Sequence, residues 1–88
     1  MTCIYVSQLR PDVTRDQLME YFRKFGNIEY VLEGKIERVP LPPDSAFVSF
    51  AEPKAVQKVL TSGPHTIGSS PLVIRPMRRL QSNNNFKR

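Results

Sequence analysis

The stretch Ser45-Ala46-Phe47-Val48-Ser49-Phe50 restricts this chain more than any other. Successive side chains on a β-strand face opposite sides, so Ala46, Val48 and Phe50 fall on one face and Ser45, Phe47 and Ser49 on the other. The first set is apolar and suits a core. The second shows an aromatic ring between two hydroxyls, and an outward Phe on a strand calls for a reason. Cys3-Ile4-Tyr5-Val6-Ser7-Gln8 follows the same grammar, with Ile4 and Val6 inward and Tyr5 outward. Two strands therefore each present one aromatic opposite the core.

The rest of the chain places these strands. Leu9-Arg10-Pro11-Asp12 reads as a turn. Thr14, with Gln17 three residues on, forms a capping box that satisfies orphan N–H groups at a helix start, and Val13 and Leu18 occupy the hydrophobic-staple positions. Leu18, Phe22 and Phe25, with Tyr21, form one apolar stripe, and Gly26 ends the helix as a cap that favours positive φ. Ile28 to about Glu37 reads as a second strand, broken or bulged near Gly34, and its register is left open by Val31-Leu32, which disturbs the alternation. The proline-rich run from Val39 to Asp44 cannot supply a ladder and is a loop. Pro53 opens a second helix with Val56, Val59 and Leu60 as its apolar stripe, closed by Ser62-Gly63-Pro64. Thr66-Ile67 forms a minor extended piece before a Gly68-Ser69-Ser70-Pro71 turn. Leu72 to Pro76 is the last strand, with Leu72 and Ile74 inward and Val73 and Arg75 outward. The order βαββαβ predicts an α+β, ferredoxin-like sandwich: a four-stranded antiparallel sheet with two helices on one face and the other face open. Residues 1–80 form the single domain and 81–88 a flexible, asparagine-rich basic tail.

Composition narrows the function. The 88 residues suffice for one core. No apolar run approaches a membrane span, no secretory signal is visible, and no membrane role is expected. A single cysteine excludes an internal disulfide and fits a reducing compartment; one Cys and one His cannot furnish a zinc site, and no cofactor is expected. The net charge of +5 lies wholly at the C-terminal end: up to Ile74 eight basic and eight acidic residues cancel, and from Arg75 onward there are five basic residues and no acidic one. That favours a polyanionic partner, against the plain alternative of a solubilising basic tail. The four glycines are too scattered for a phosphate-cradling loop, and no nucleophile–base set falls in a cleft, so no enzyme is expected. His65 reads as a loop residue.

Ile4-Tyr5-Val6-Ser7-Gln8-Leu9 resembles the RNP2 segment of an RNA recognition motif (RRM), with Gln8 where Asn is usual. Ser45 to Phe50 resembles the latter part of RNP1, and Leu18 to Phe25 with Gly26-Asn27-Ile28 is similar to the family's first helix and turn. Val56-Gln57-Lys58-Val59-Leu60, Pro64-His65-Thr66-Ile67 and Arg75-Pro76-Met77-Arg78-Arg79 resemble the hnRNP A/B, Musashi and DAZ-associated group. The resemblance runs from about Cys3 to Arg79. It implies an intracellular protein, nuclear and/or cytoplasmic, that binds single-stranded RNA on the open sheet. Tyr5 and Phe47 would stack bases, Arg75, Met77, Arg78 and Arg79 would support them, and Cys3, Ser7, Ser45 and Lys35 would make secondary contacts.

The chain also departs from the family. RNP1 ordinarily opens with a basic residue, Gly and an aromatic; here those places hold Pro43, Asp44 and Ser45. Two sheet aromatics are then expected where the family supplies three. At about 1–3 kcal/mol per stacked base, the missing ring costs about one to two orders of magnitude in affinity. A second function stays open beside RNA binding: an RRM that docks a protein partner or a second copy of itself. For the rings, the plain structural alternatives are an edge-exposed Tyr5 covered by the C-terminal tail and a Phe47 buried beneath a helix formed by Pro76 to Leu80.

Overall fold

The computed structural model describes residues 2–34 and 41–77; Lys35, Arg78, Arg79 and the 81–88 tail lie outside the described residues. The elements run β1 (Cys3–Ser7), α1 (Arg15–Phe22), a 3-10 turn (Arg23–Phe25), β2 (Ile28–Glu33), β3 (Ala46–Phe50), α2 (Pro53–Thr61), β4 (Thr66–Ile67), β5 (Ser70–Pro71) and β6 (Val73–Met77). Strands β2-β3-β1-β6 form an antiparallel four-stranded sheet, and β4 pairs with β5 in a small separate hairpin. This is the expected ferredoxin-like sandwich with one hairpin inserted before the last strand.

The α1 cap forms as its sequence requires. The Gln17 amide donates to Thr14 Oγ1 at 3.2 Å and the Thr14 amide donates to Gln17 Oε1 at 2.9 Å. Val13 and Leu18 are both buried at this end. Leu18 and Phe22 then join Ile4, Val6, Val48 and Phe50 in one core with Ala55, Val56 and Val59 of α2, which places both helices on the same sheet face.

Three expectations are corrected here. Gly26 follows the 3-10 turn with φ 166°, extended backbone rather than the left-handed region. Glycine is required there for another reason: an added Cβ would stand 2.6 Å from the Ala55 Cβ, so Gly26 lets α2 approach the end of α1. Leu60 is 41% exposed and is not part of the α2 stripe; Ala55 takes its place, rotating the buried face around the helix. The bulge in β2 lies between Ile28 and Tyr30, at Glu29, while near Gly34 the strand is broken rather than bulged, ending at Glu33. Gly34 is instead a point of close approach, where a Cβ would run into the carbonyl oxygen of Pro42.

Candidate nucleic-acid interface

Antiparallel partners directly opposite one another face the same side of a sheet. The register therefore lays two rows across the face away from the helices. One runs Leu32, Phe47, Tyr5, Arg75 and the other Tyr30, Ser49, Cys3, Met77, each from β2 through β3 and β1 to β6. Ser7, opposite Val73, continues the same side of β1. Six of the residues singled out by sequence thus share one face: Cys3, Tyr5, Ser7, Phe47, Arg75 and Met77.

Their accessibility differs from expectation. Tyr5 and Ser7 are half-buried, and Arg75 and Met77 are exposed. Phe47 has the expected direction but no exposed surface at all. On the neighbouring strand the Tyr30 ring stacks on Phe47, with centroids 6.4 Å apart and planes 28° from parallel. Cys3 is likewise fully buried, on a strand flanked by two others. Ser45 is buried with its hydroxyl donating to the Pro42 carbonyl at 2.7 Å, so that hydroxyl is committed to the loop. Of the alternatives raised for the two rings, an edge position for Tyr5 is overturned, because β1 is an interior strand. A helix starting at Pro76 is overturned as well, because Pro76 and Met77 belong to β6.

Two residues on this face escaped the sequence reading. Tyr30 is a third sheet aromatic, reached from β2 rather than from the opening of RNP1. Glu29 occupies the bulge beside it, and its carboxylate accepts a hydrogen bond from the Ser49 hydroxyl at 3.0 Å. The signal was present: Ile28 and Val31 both turn toward the core although three positions apart, which a regular strand does not allow. Placing the irregularity at Gly34 hid it.

On the opposite side of the sheet, polar groups serve the scaffold. Glu33, 2% exposed, lies 3.8 Å from Arg15 Nε on α1. His65 is buried in the connection after α2, with Nε2 2.7 Å from the Val59 carbonyl and Nδ1 2.7 Å from the Tyr21 hydroxyl. A carbonyl only accepts, so Nε2 carries the proton and donates, and Nδ1 accepts from Tyr21. His65 is a loop residue, as expected, and acts as a strut between the two helices. A cavity of about 280 Å³ opens at the end of the sheet, walled by Leu9, Pro11, Val13 and Pro43 with Glu33 and Asp44 beside them. Among the described residues lining it, the single hydroxyl is that of Ser45, already bonded to Pro42.

Comparison with known proteins agrees with this geometry. A family model described as PARP14, third RRM domain, matches residues 1–79. The heterogeneous nuclear ribonucleoprotein D-like proteins of Gallus gallus and Mus musculus are each 31% identical over 80 residues, covering 82% of this chain and 24% of theirs. Heterogeneous nuclear ribonucleoprotein 27C of Drosophila melanogaster is 32% identical over 73 residues, covering 83% of this chain and 17% of its own length. The chain thus spans about a quarter or less of these curated relatives. Among solved structures, the RRM3 domain of Mip6 superposes with a TM-score of 0.69 at 26% identity, covering 88% of this chain and 94% of that one.

Proposed function

The chain belongs to the RNA recognition motif family, an RNA-binding family of the hnRNP-like kind, and from that premise we propose that its open sheet face binds single-stranded RNA. The observation that carries the reading is the register. It lines up Phe47, Tyr5 and Arg75 across three adjacent strands and sets Tyr30 against Phe47 on the side opposite both helices.

Half-buried Tyr5 and Tyr30 supply the stacking surfaces, and Phe47 supports Tyr30 from beneath. Single-strand binders use aromatic platforms of this kind because every base has a π-face. Arg75 and Met77 border the platform on β6, and Arg78 and Arg79 follow along the chain to meet phosphates. Ser7 adds a polar contact on β1, and Lys35 one from beyond β2. Cys3 and Ser45 act through packing, since both are buried. The binding module is not an enzyme, requires no cofactor, and works in the nucleus, the cytoplasm or both.

Replacing Tyr5 and Tyr30 together with Ala tests this reading. The fold survives, because neither ring belongs to the buried core cluster. Affinity for a short mixed-sequence RNA falls by about 2–6 kcal/mol, from about 1–3 kcal/mol per stacked base. Undiminished binding in fluorescence anisotropy would sink the proposal.

One observation favours a second reading, in which the domain also docks a peptide. The apolar walls of the 280 Å³ cavity lie at the loop end of the sheet, where Pro43 and Asp44 replace the basic and glycine residues usual for the family. Chemical-shift changes confined to Leu9, Val13 and Asp44 on adding a partner would identify that mode.

A further inference from the structure

We propose that the groove between α1 and the β4–β5 hairpin docks an acidic peptide segment of a protein partner; α1 covers the sheet face opposite the one assigned to RNA, so the inference is independent of that reading. The hairpin does not join the four-stranded sheet and stands beside α1 instead. Gln17, Ile67 and Gly68 line both a shallow depression of about 370 Å³ and a more enclosed pocket of about 70 Å³. The two hollows are parts of one groove.

Its floor is rigid at one end and carries an unused donor at the other. Half-buried Tyr21 borders the depression, and its hydroxyl donates to His65 Nδ1 at 2.7 Å. Phe22 meets the ring edge-on, with centroids 5.0 Å apart and planes 85° apart. A ring already fixed in this way gives a partner's apolar side chain a contact with little left to order. The wall of the enclosed pocket includes Ser70, which is 3% exposed and whose hydroxyl has no hydrogen-bond partner among the described residues. Buried hydroxyls are ordinarily paired, so this one calls for a reason. Rotation about χ1 moves the oxygen among three staggered positions, and it has no bond to give up before donating to an incoming acceptor.

Charge selects that acceptor. Arg10 flanks the enclosed pocket and Lys24 the depression; both are exposed, and neither has an ion pair among the described residues. The Lys24 ammonium rests instead 4.1 Å from the centre of the Tyr21 ring. Of the acids at the rim, Glu20 is engaged by Arg23 at 3.3 Å, which leaves Asp12 beside Arg10. Two cations against one acid make the groove positive, with a cation at each end. That pattern fits a segment carrying a carboxylate on either side of an apolar residue. One carboxylate meets Arg10 and Ser70, the other meets Lys24, and the apolar side chain lies over Tyr21 and Ile67.

The test uses the whole chain and three fluorescein-labelled peptides: Glu-Ala-Leu-Ala-Glu, its isostere Gln-Ala-Leu-Ala-Gln, and Lys-Ala-Leu-Ala-Lys. In fluorescence anisotropy the acidic peptide should bind about tenfold more tightly than the amide one. Amide shift changes in an NMR titration should centre on Gln17, Tyr21, Gly68 and Ser70. The double variant Arg10→Gln, Lys24→Gln should erase the acidic preference. Ser70→Ala should weaken the acidic peptide while leaving the urea midpoint unchanged or raised, because it removes an unpaired buried group. A lowered midpoint with unchanged peptide affinity would give the hydroxyl a purely structural role and overturn the proposal. Equal binding of the three peptides, preference for the basic one, or an acidic preference surviving in the double variant also overturns it. So do shifts centred on Leu9 and Asp44, which belong to the 280 Å³ cavity, and absence of binding at millimolar peptide. None of these readouts uses RNA, so their failure is separable from failure of the sheet face.

Discussion

On the helix side of the sheet, Ile4, Val6, Val48 and Phe50 lose all exposure beneath apolar residues of α1 and α2. On the other side Phe47 is equally inaccessible, yet it lies against Tyr30, with a hydroxyl–carboxylate pair, Ser49 to Glu29, one row away. The first surface is sealed by apolar packing within the chain itself. The second is closed by a ring-on-ring contact and a polar pair, both of which a nucleobase can imitate or extend. Equal burial therefore carries different meanings under the proposed reading: stability on one face, and contact exchangeable with a base on the other.

Substitutions should separate the two faces. The largest effect is expected from Phe22→Ala, which empties the centre of the helix side: about 3–5 kcal/mol of unfolding free energy lost in urea titration, with RNA affinity of the folded fraction unchanged. A stability loss below about 1 kcal/mol would mean that the helix side is less tightly packed than its burial indicates. Next comes Gly26→Ala, whose new methyl group meets Ala55 at 2.6 Å and should cost about 1–3 kcal/mol. Adding Ala55→Gly should recover much of the loss, and failure to do so would place the strain elsewhere. The smallest effect belongs to the open face. Arg75→Gln should leave the urea midpoint unchanged and reduce the slope of log affinity against log salt by about 0.7, the value for one phosphate contact on a single strand. An unchanged slope removes Arg75 from the phosphate path.

Much of this architecture could be read in the chain because it depends on neighbours in sequence. The Thr14–Gln17 box, the Ala46-Val48-Phe50 alternation and Pro53 at the head of α2 each act within a few residues, and each appears where expected. What escaped depends on residues far away. The need for glycine at position 26 comes from Ala55, not from a local dihedral angle. Phe47 points in the expected direction, but it is fully buried, with the ring of Tyr30 from another strand stacked on it. The bulge at Glu29 exists only relative to the ladder of β3, so it leaves a mere irregular spacing in β2 itself. Local rules gave the scaffold its order, and tertiary pairing gave the open face its third aromatic and its acid.

The pairing of β1 with β6 has a consequence for how this surface comes into being. Cys3 lies opposite Met77 and Tyr5 opposite Arg75, so the sheet joins the two ends of the domain. Contacts so distant in sequence close large loops and are gained late in folding. During synthesis, a nascent chain that has already made Tyr5, Tyr30 and Phe47 still lacks the strand that borders them. The sheet face that carries them stays incomplete until Met77 has left the ribosome, so the proposed RNA surface exists only once the domain's last strand has been made.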